Sequence, residues 1–256
     1  MGIALCEKYR QLGSASVLRG EQQAIFVFID DTGNTGWTAG GRDAVEGHVR
    51  SALTWLEKEA TRYGVSLRMT VAFAPPKPRL AQSVSFQVCE TDFAAGPHHS
   101  TWQNCAAESL VGKPGWVGTL WDELFSQHHP GPNAFDGRFI LFGVRRYVPS
   151  VAFPYFKGEH QEFEKERGII YDMGEGGQWF LDSEIAHEIL HLYGAVDLCP
   201  DKFPLGEQIF NADFRQNIDP MDVMVKPTQE PIDNYTVDAF TRYLIGWAAS
   251  APAWVR

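Results

Sequence analysis

Cysteine is scarce in this chain: four in 256 residues, Cys6, Cys89, Cys105 and Cys199, with no CxxC pair among them. So sparse a set does not staple a disulfide scaffold, and free thiols in a reducing compartment are expected. Positive charge is also in short supply. There are 22 Lys and Arg against 32 Asp and Glu, a formal charge of -10 with no basic run to reverse it locally. Nonspecific attachment to nucleic acid is therefore excluded as a function class. Long apolar runs are missing as well. Residues 1–20 hold Cys6, Glu7, Lys8, Arg10 and Arg19 but no stretch apolar enough for a signal-peptide core, and no later segment is long enough to cross a bilayer. The expectation is a cytoplasmic protein with no membrane partner. Nor is there a repeat or a low-complexity linker. With 44% hydrophobic residues the chain can bury a sizeable core, as one domain or as two lobes flanking a cleft.

What is present reads first as an alternation of strands and helices. Residues 24–29 (AIFVFI) are a short apolar run closed by Asp30-Asp31-Thr32-Gly33, the pattern of a buried strand. The glycine-rich stretch 33–41 lacks the Gly-Lys-Ser/Thr ending and the GxGxxG spacing of a phosphate cradle, and reads as a flexible turn. Val45, Val49, Ala52, Leu56, Ala60 and Tyr63 then keep helical spacing, with Asp43 in the first turn and Gly64 as the stop. Residues 65–73 return as a strand, and such a strand-helix-strand unit gives a parallel pair. Pro75, Pro76 and Pro78 break the chain. Beyond them the pattern predicts a strand at 83–89 and a loop or insertion at 93–114. A helix follows, marked by Val117, Leu120, Trp121, Leu124 and Phe125, then strands at 139–144, 150–156 and 164–172. Glu162, Glu164, Lys165, Glu166 and Arg167 read as a solvated strand or turn. The class is α/β, with α+β character.

The densest chemistry lies at His187-Glu188-Ile189-Leu190-His191. Histidines four apart on a helix share one face and can aim ring nitrogens at one ion. Glu188, beside the first of them, is placed to reach a metal-bound water rather than the metal. Phe180, Ile185, Ala186, Ile189, Leu190 and Tyr193 give 178–193 a buried helical face, with Asp182 or Ser183 available to cap its start. Gly194 falls where a left-handed glycine ends a helix and turns the chain. Asp197, beyond that turn, can return a carboxylate oxygen to the same ion. Three protein ligands with a fourth place open is the arrangement of catalytic zinc, whereas structural zinc is closed by four. Cys199 and Asp201 stand close enough to be rival third ligands. Glu207 and Glu230 are more distant ones, on helices that Pro204, Gly206 and Pro231 would keep short.

The pattern H-E-x-x-H-x-x-G-x-x-D resembles the metzincin metallopeptidases, and specifically the minority whose third ligand is Asp. The run Ile218-Asp219-Pro220-Met221-Asp222-Val223-Met224 resembles their Met-turn, with Met224 as the methionine below the metal and Met221 as the alternate. Residues 236–247 then place Val237, Phe240, Leu244 and Trp247 on one stripe, as a core-facing last helix would. The resemblance implies a metzincin- or zincin-like fold: a twisted mixed sheet with two long helices above the cleft, the second carrying HExxH, and a smaller irregular C-terminal subdomain ending in a helix. It divides the chain into an N-terminal segment, 1–23, and a single metalloprotease domain, 24–256, with an upper lobe at 24–194 and a lower lobe at 195–256. It also implies Zn2+ on His187, His191 and Asp197, Glu188 as general base toward the metal-bound water, and Gly194 and Met224 as structural residues near the metal.

The implied activity is hydrolysis of peptide bonds in a protein or peptide substrate, limited by narrow specificity, a regulatory partner or an activation signal. The alternatives are a catalytically silent domain of the same fold and an HExxH hydrolase with another third ligand. The strand at 151–156 is the candidate to pair with an extended peptide. Other groups invite less. His98-His99 and His128-His129 are adjacent pairs whose members point different ways, His160 sits among charged residues, and His48 lies on a helix face. Tyr193 and Tyr235 carry phenols that an oxyanion would use, but aromatics beside helices read as core, so that role stays unassigned.

Overall fold

Side chains alternate across a strand, so a run apolar at every position needs a core on each side. The protein is described by a computed structural model at residues 10, 17–30, 37–75, 84–85, 101–115, 117–129, 135–145, 150–154, 166–171, 181–198, 216–225 and 230–255. Among these, β1 (Gly20–Asp30), α1 (Ala39–Arg62), β2 (Leu67–Ala74), β3 (Val84–Ser85), α2 (Thr101–Val111), α3 (Val117–His128), β4 (Gly137–Val144), β5 (Val151–Phe153), β6 (Glu166–Tyr171), α4 (Asp182–Leu192) and α5 (Ala239–Leu244) follow in chain order. The strand path is β2-β1-β4-β6-β5, with β3 added beside the end of β1. Pairing is parallel between β1 and each of β2, β3 and β4, and between β4 and β6, while β5 runs antiparallel on β6. The sheet is thus mixed and the fold is α/β.

Both cores that β1 requires are present. Ala24, Phe26 and Phe28 join α1, α4 and the later residues Val223, Met224, Phe240 and Leu244. Ile25, Val27 and Ile29 join Trp102 and Ala106 of α2 and Leu120, Trp121 and Leu124 of α3. The layers are helix, sheet, helix. Described residues after 194 therefore pack into the core of α1 and α4. The Leu18 amide donates to the Ile245 carbonyl at 3.1 Å, and the Trp247 indole donates to the Leu18 carbonyl at 2.5 Å. The start of the described chain is tied in this way to its end.

Several expectations change. The stretch 93–114 is not a loop throughout, because α2 occupies Thr101–Val111 on the helical spacing Trp102, Ala106, Leu110. Helices pack on both faces of the sheet, α1, α4 and α5 on one and α2 and α3 on the other. Asp43 lies past the first turn of α1, which starts earlier with Thr38 as N-cap, its hydroxyl accepting from the Gly41 amide at 3.0 Å. Glu166 and Arg167 are not solvated. They are buried in β6 between two neighbouring strands, with the Arg167 guanidinium 4.7 Å from the Phe153 ring centre. Burial pushes the Arg167 pKa down to about 10 against the pull of the Glu166 charge. The last helix is shorter than 236–247. Asp238 caps α5 by accepting from the Phe240 and Thr241 amides at 2.7 and 3.0 Å, and Gly246, at φ 80°, turns the chain just beyond it. Val237, Phe240, Leu244 and Trp247 are nonetheless all buried, as their stripe predicts. The strands predicted at 83–89, 150–156 and 164–172 are present as β3, β5 and β6; the remainder of each, apart from Ser150 and Pro154, lies outside the described residues.

Candidate metal centre

The helix that carries the histidines is held at its start by tertiary contacts. Neither Asp182 nor Ser183 is the cap, for the N-cap is Leu181 with no side-chain bond. Asp182 is engaged by His48 of α1, Nδ1 to Oδ1 at 2.5 Å. Burial alone would raise the Asp182 carboxyl, and the hydrogen bonds from His48 and Ser51 with the His48 charge hold it below its ordinary value. Two residues on, the Ser150 hydroxyl donates to Glu184 and accepts from the Tyr171 amide at 3.1 Å, which joins α4 to the end of β6. At the other end Gly194, at φ 95°, occupies the left-handed region that a side chain disfavours. Its amide and that of Ala195 bond back to the His191 and Leu190 carbonyls, and the chain reverses toward Asp197.

That reversal brings three ligand atoms together. The two Nε2 atoms of His187 and His191 lie 3.0 Å apart, and Asp197 Oδ1 lies 3.1 Å from the first and 3.4 Å from the second. Each imidazole has its other nitrogen on a main-chain carbonyl: His187 Nδ1 on Val223 at 3.0 Å and His191 Nδ1 on Ala195 at 2.8 Å. A carbonyl only accepts, so both Nδ1 atoms carry hydrogen, and in the neutral rings both Nε2 atoms present lone pairs. Two lone pairs and a carboxylate oxygen thus converge, and they need a proton or a cation between them. Ligand atoms about 2.0–2.1 Å from a tetrahedral zinc lie about 3.3 Å from one another, so the observed spacing fits that ion. Among the described residues this is the one group of three His, Cys, Asp or Glu side chains so arranged.

Electrostatics at the site follow from the same contacts. Burial lowers the pKa of His191, but the Asp197 hydrogen bond, the Glu188 and Asp197 charges and the Ala195 carbonyl outweigh it, and the net shift is upward. Asp197 is driven the other way. Burial would raise it, and the hydrogen bonds and charges of His187 and His191 hold it far below the ordinary carboxylate range. The side chains of His187 and His191 are 8% and 19% exposed and that of Asp197 is 35% exposed, so the cluster opens to solvent on the Asp197 side. Glu188, between the histidines in sequence, is 5% exposed.

The remaining residues sort clearly. Met224 is fully buried, its amide held by Asp222 and its carbonyl accepting from the Leu198 amide at 2.8 Å, whereas Met221 is 38% exposed. Met224 is thus the methionine packed inside. Tyr193 spends its hydroxyl in the core on Gln22 Oε1 at 2.7 Å, and burial pushes its pKa well up, with Glu166 adding to it. Tyr235 is buried. Glu230 is exposed and accepts from Asn234 Nδ2, away from the cluster. His129 Nε2 faces the Ala24 carbonyl at 3.0 Å, and burial lowers the pKa of both His128 and His129. Cys199, Asp201, Glu207, His98, His99 and His160 lie outside the described residues. The carbonyls of Val223 and Ala195 were not foreseeable as imidazole partners, since main-chain groups carry no sequence signal. In comparisons with family models, with curated proteins and with solved structures, the chain matches none. No described helix is long and apolar enough to cross a membrane.

Proposed function

We propose that this chain is a zinc-dependent peptidase of the metzincin kind, acting on a protein or peptide substrate. One observation carries the reading: three ligand atoms stand at 3.0, 3.1 and 3.4 Å from one another, open to solvent on one side, with a buried carboxylate next in sequence to the first histidine. His187, His191 and Asp197 would hold the ion, which when bound supplies a Lewis acid and a water acidified toward a pKa of about 7. The Val223 and Ala195 carbonyls orient the two imidazoles by fixing hydrogen on Nδ1. Glu188 would accept a proton on its carboxylate and return it to the leaving amine. β5 pairs only with β6 among the described strands, which leaves an edge on which an extended peptide can add. The mixed sheet, α1 and α4 packed on the same one of its faces and the buried Met224 support the metzincin likeness.

The test is metal analysis with peptide-library cleavage, wild type beside Glu188→Ala. The expected result is about one zinc per chain in both and turnover in the wild type alone. Zinc in both with turnover in neither would favour the catalytically silent domain, and turnover surviving in Glu188→Ala would remove the base assignment.

A further inference from the structure

The turn after residue 218 is built from three aspartates. Asp219 Oδ1 accepts from the Met221 amide at 2.9 Å and its Oδ2 accepts from the Thr236 hydroxyl at 2.8 Å. Asp222, fully buried, accepts at both oxygens, from the Met224 amide at 2.6 Å and from the Asp238 amide at 2.5 Å. Asp238 in turn accepts from the Asp219 amide at 3.4 Å while capping α5. The carbonyls this turn presents go to the metal cluster: Val223 to His187 Nδ1, and Met224 to the Leu198 amide, the residue after Asp197. Two of the three ligands are therefore set by one turn, and the turn is set by Asp222.

We propose that Asp222 is a positioning residue for the metal centre, holding the turn so that the Val223 carbonyl fixes the His187 ring and the Met224 carbonyl fixes the backbone beside Asp197. This rests on the metal reading above. A carboxylate suits the place because both of its oxygens accept. An amide has one accepting oxygen, so Asp222→Asn turns a donor toward a backbone donor and leaves a buried N–H without its bond. Partners of metal-bound histidines are worth about 10–100-fold in metal affinity, and a loss in that range is expected here.

The test compares full-length wild type, Asp222→Asn, Thr236→Val and Leu124→Ala. Thr236→Val removes only the hydroxyl bond to Asp219 and keeps the fold safe should Asp222→Asn not fold. Leu124→Ala lowers stability from the opposite face of the sheet. Cobalt affinity is read by competition with a chelator, and the imidazole Nδ1–H signal of His187 is read by NMR in the metal-free chain. The expected result is weaker cobalt binding and a lost or rapidly exchanging His187 Nδ1–H signal in Asp222→Asn, the same in smaller degree in Thr236→Val, and neither change in Leu124→Ala. Wild-type affinity and signal in both turn variants, or equal losses in Leu124→Ala, would overturn the proposal. A wild type that takes up no cobalt would defeat the metal reading, and the metal-free His187 signal would still decide the positioning claim.

Discussion

Gly194 joins backbone geometry to the candidate metal centre in one residue, and replacing it tests both. At φ 95° it lies where a side chain strains the backbone, at a cost of about 1–2 kcal/mol. For a chain of this size each kcal/mol moves Tm by about 2–4 °C, so Gly194→Ala is expected to melt about 2–8 °C below wild type. Asn tolerates the left-handed region better, and Gly194→Asn is expected between the two. The strain has a second consequence. Relaxing the turn moves the Ala195 carbonyl, which lies 2.8 Å from His191 Nδ1, and zinc affinity in Gly194→Ala is expected to fall about tenfold. Thermal unfolding followed by circular dichroism on metal-free protein isolates the backbone effect, and zinc competition on the same samples reads the second. A Gly194→Ala protein that melts with wild type, or above Gly194→Asn, would refute the backbone reasoning. Lowered Tm with unchanged zinc affinity would refute the link to His191.

Three other outcomes follow from the same geometry. Asp197→His replaces a charged ligand with a neutral one, so zinc is expected to stay and the pH optimum to move, whereas Asp197→Ala should lose zinc; equal zinc and activity in Asp197→Ala would show the third ligand to be another group. Tyr193→Phe strands the Gln22 carbonyl in the core, which costs about 1–3 kcal/mol, and should leave turnover at low temperature unchanged; a large fall in kcat at wild-type stability would place the phenol in the chemistry instead. Burial and the Asp238 charge raise the Asp222 pKa in the metal-free folded chain, which therefore binds that proton more tightly than the unfolded chain, whose carboxyl titrates near about 4. The stability this adds is present below about pH 4 and is lost as pH rises and Asp222 passes to the ionised form in which both oxygens accept. Tm measured across that window should fall more steeply in wild type than in Asp222→Asn, and parallel curves would refute the assignment.

The parts of the site legible in the sequence were those fixed by short-range geometry. Histidines at i and i+4, a glycine one turn later and an aspartate three beyond it set their own relative placement, and the structure brings the three metal-ligating side chain types together. The run at 24–29 was legible because both faces of β1 are buried. What failed depended on partners distant in the chain. Nothing local marks Glu166 and Arg167 as buried; β4 and β5 on either side, and the Phe153 ring, make them so. α2 was missed because its fully buried apolar residues are one tryptophan and two alanines, Trp102, Ala106 and Ala107, a signal too weak without the α3 and β4 surfaces they fill. The cap of α4 was misplaced because Asp182 is taken by His48, 134 residues earlier.

The same distinction bears on how the three candidate ligands are held. His187 and His191 sit on a helix pinned at its start by the His48–Asp182 and Ser150–Glu184 contacts and packed along its length into the core, so their spacing is that of the helix itself. Asp197 has no such element. It is placed by a left-handed glycine three residues before it and by the Leu198 amide bonding to the Met224 carbonyl after it, and it is the most exposed of the three. Placement of Asp197 therefore depends on the turn at 219–225, and that turn depends on buried carboxylates accepting backbone amides. A motif read on one helix thus needs a second segment, some thirty residues on, to complete its geometry, and the aspartates at 219, 222 and 238 are where the sequence places that requirement.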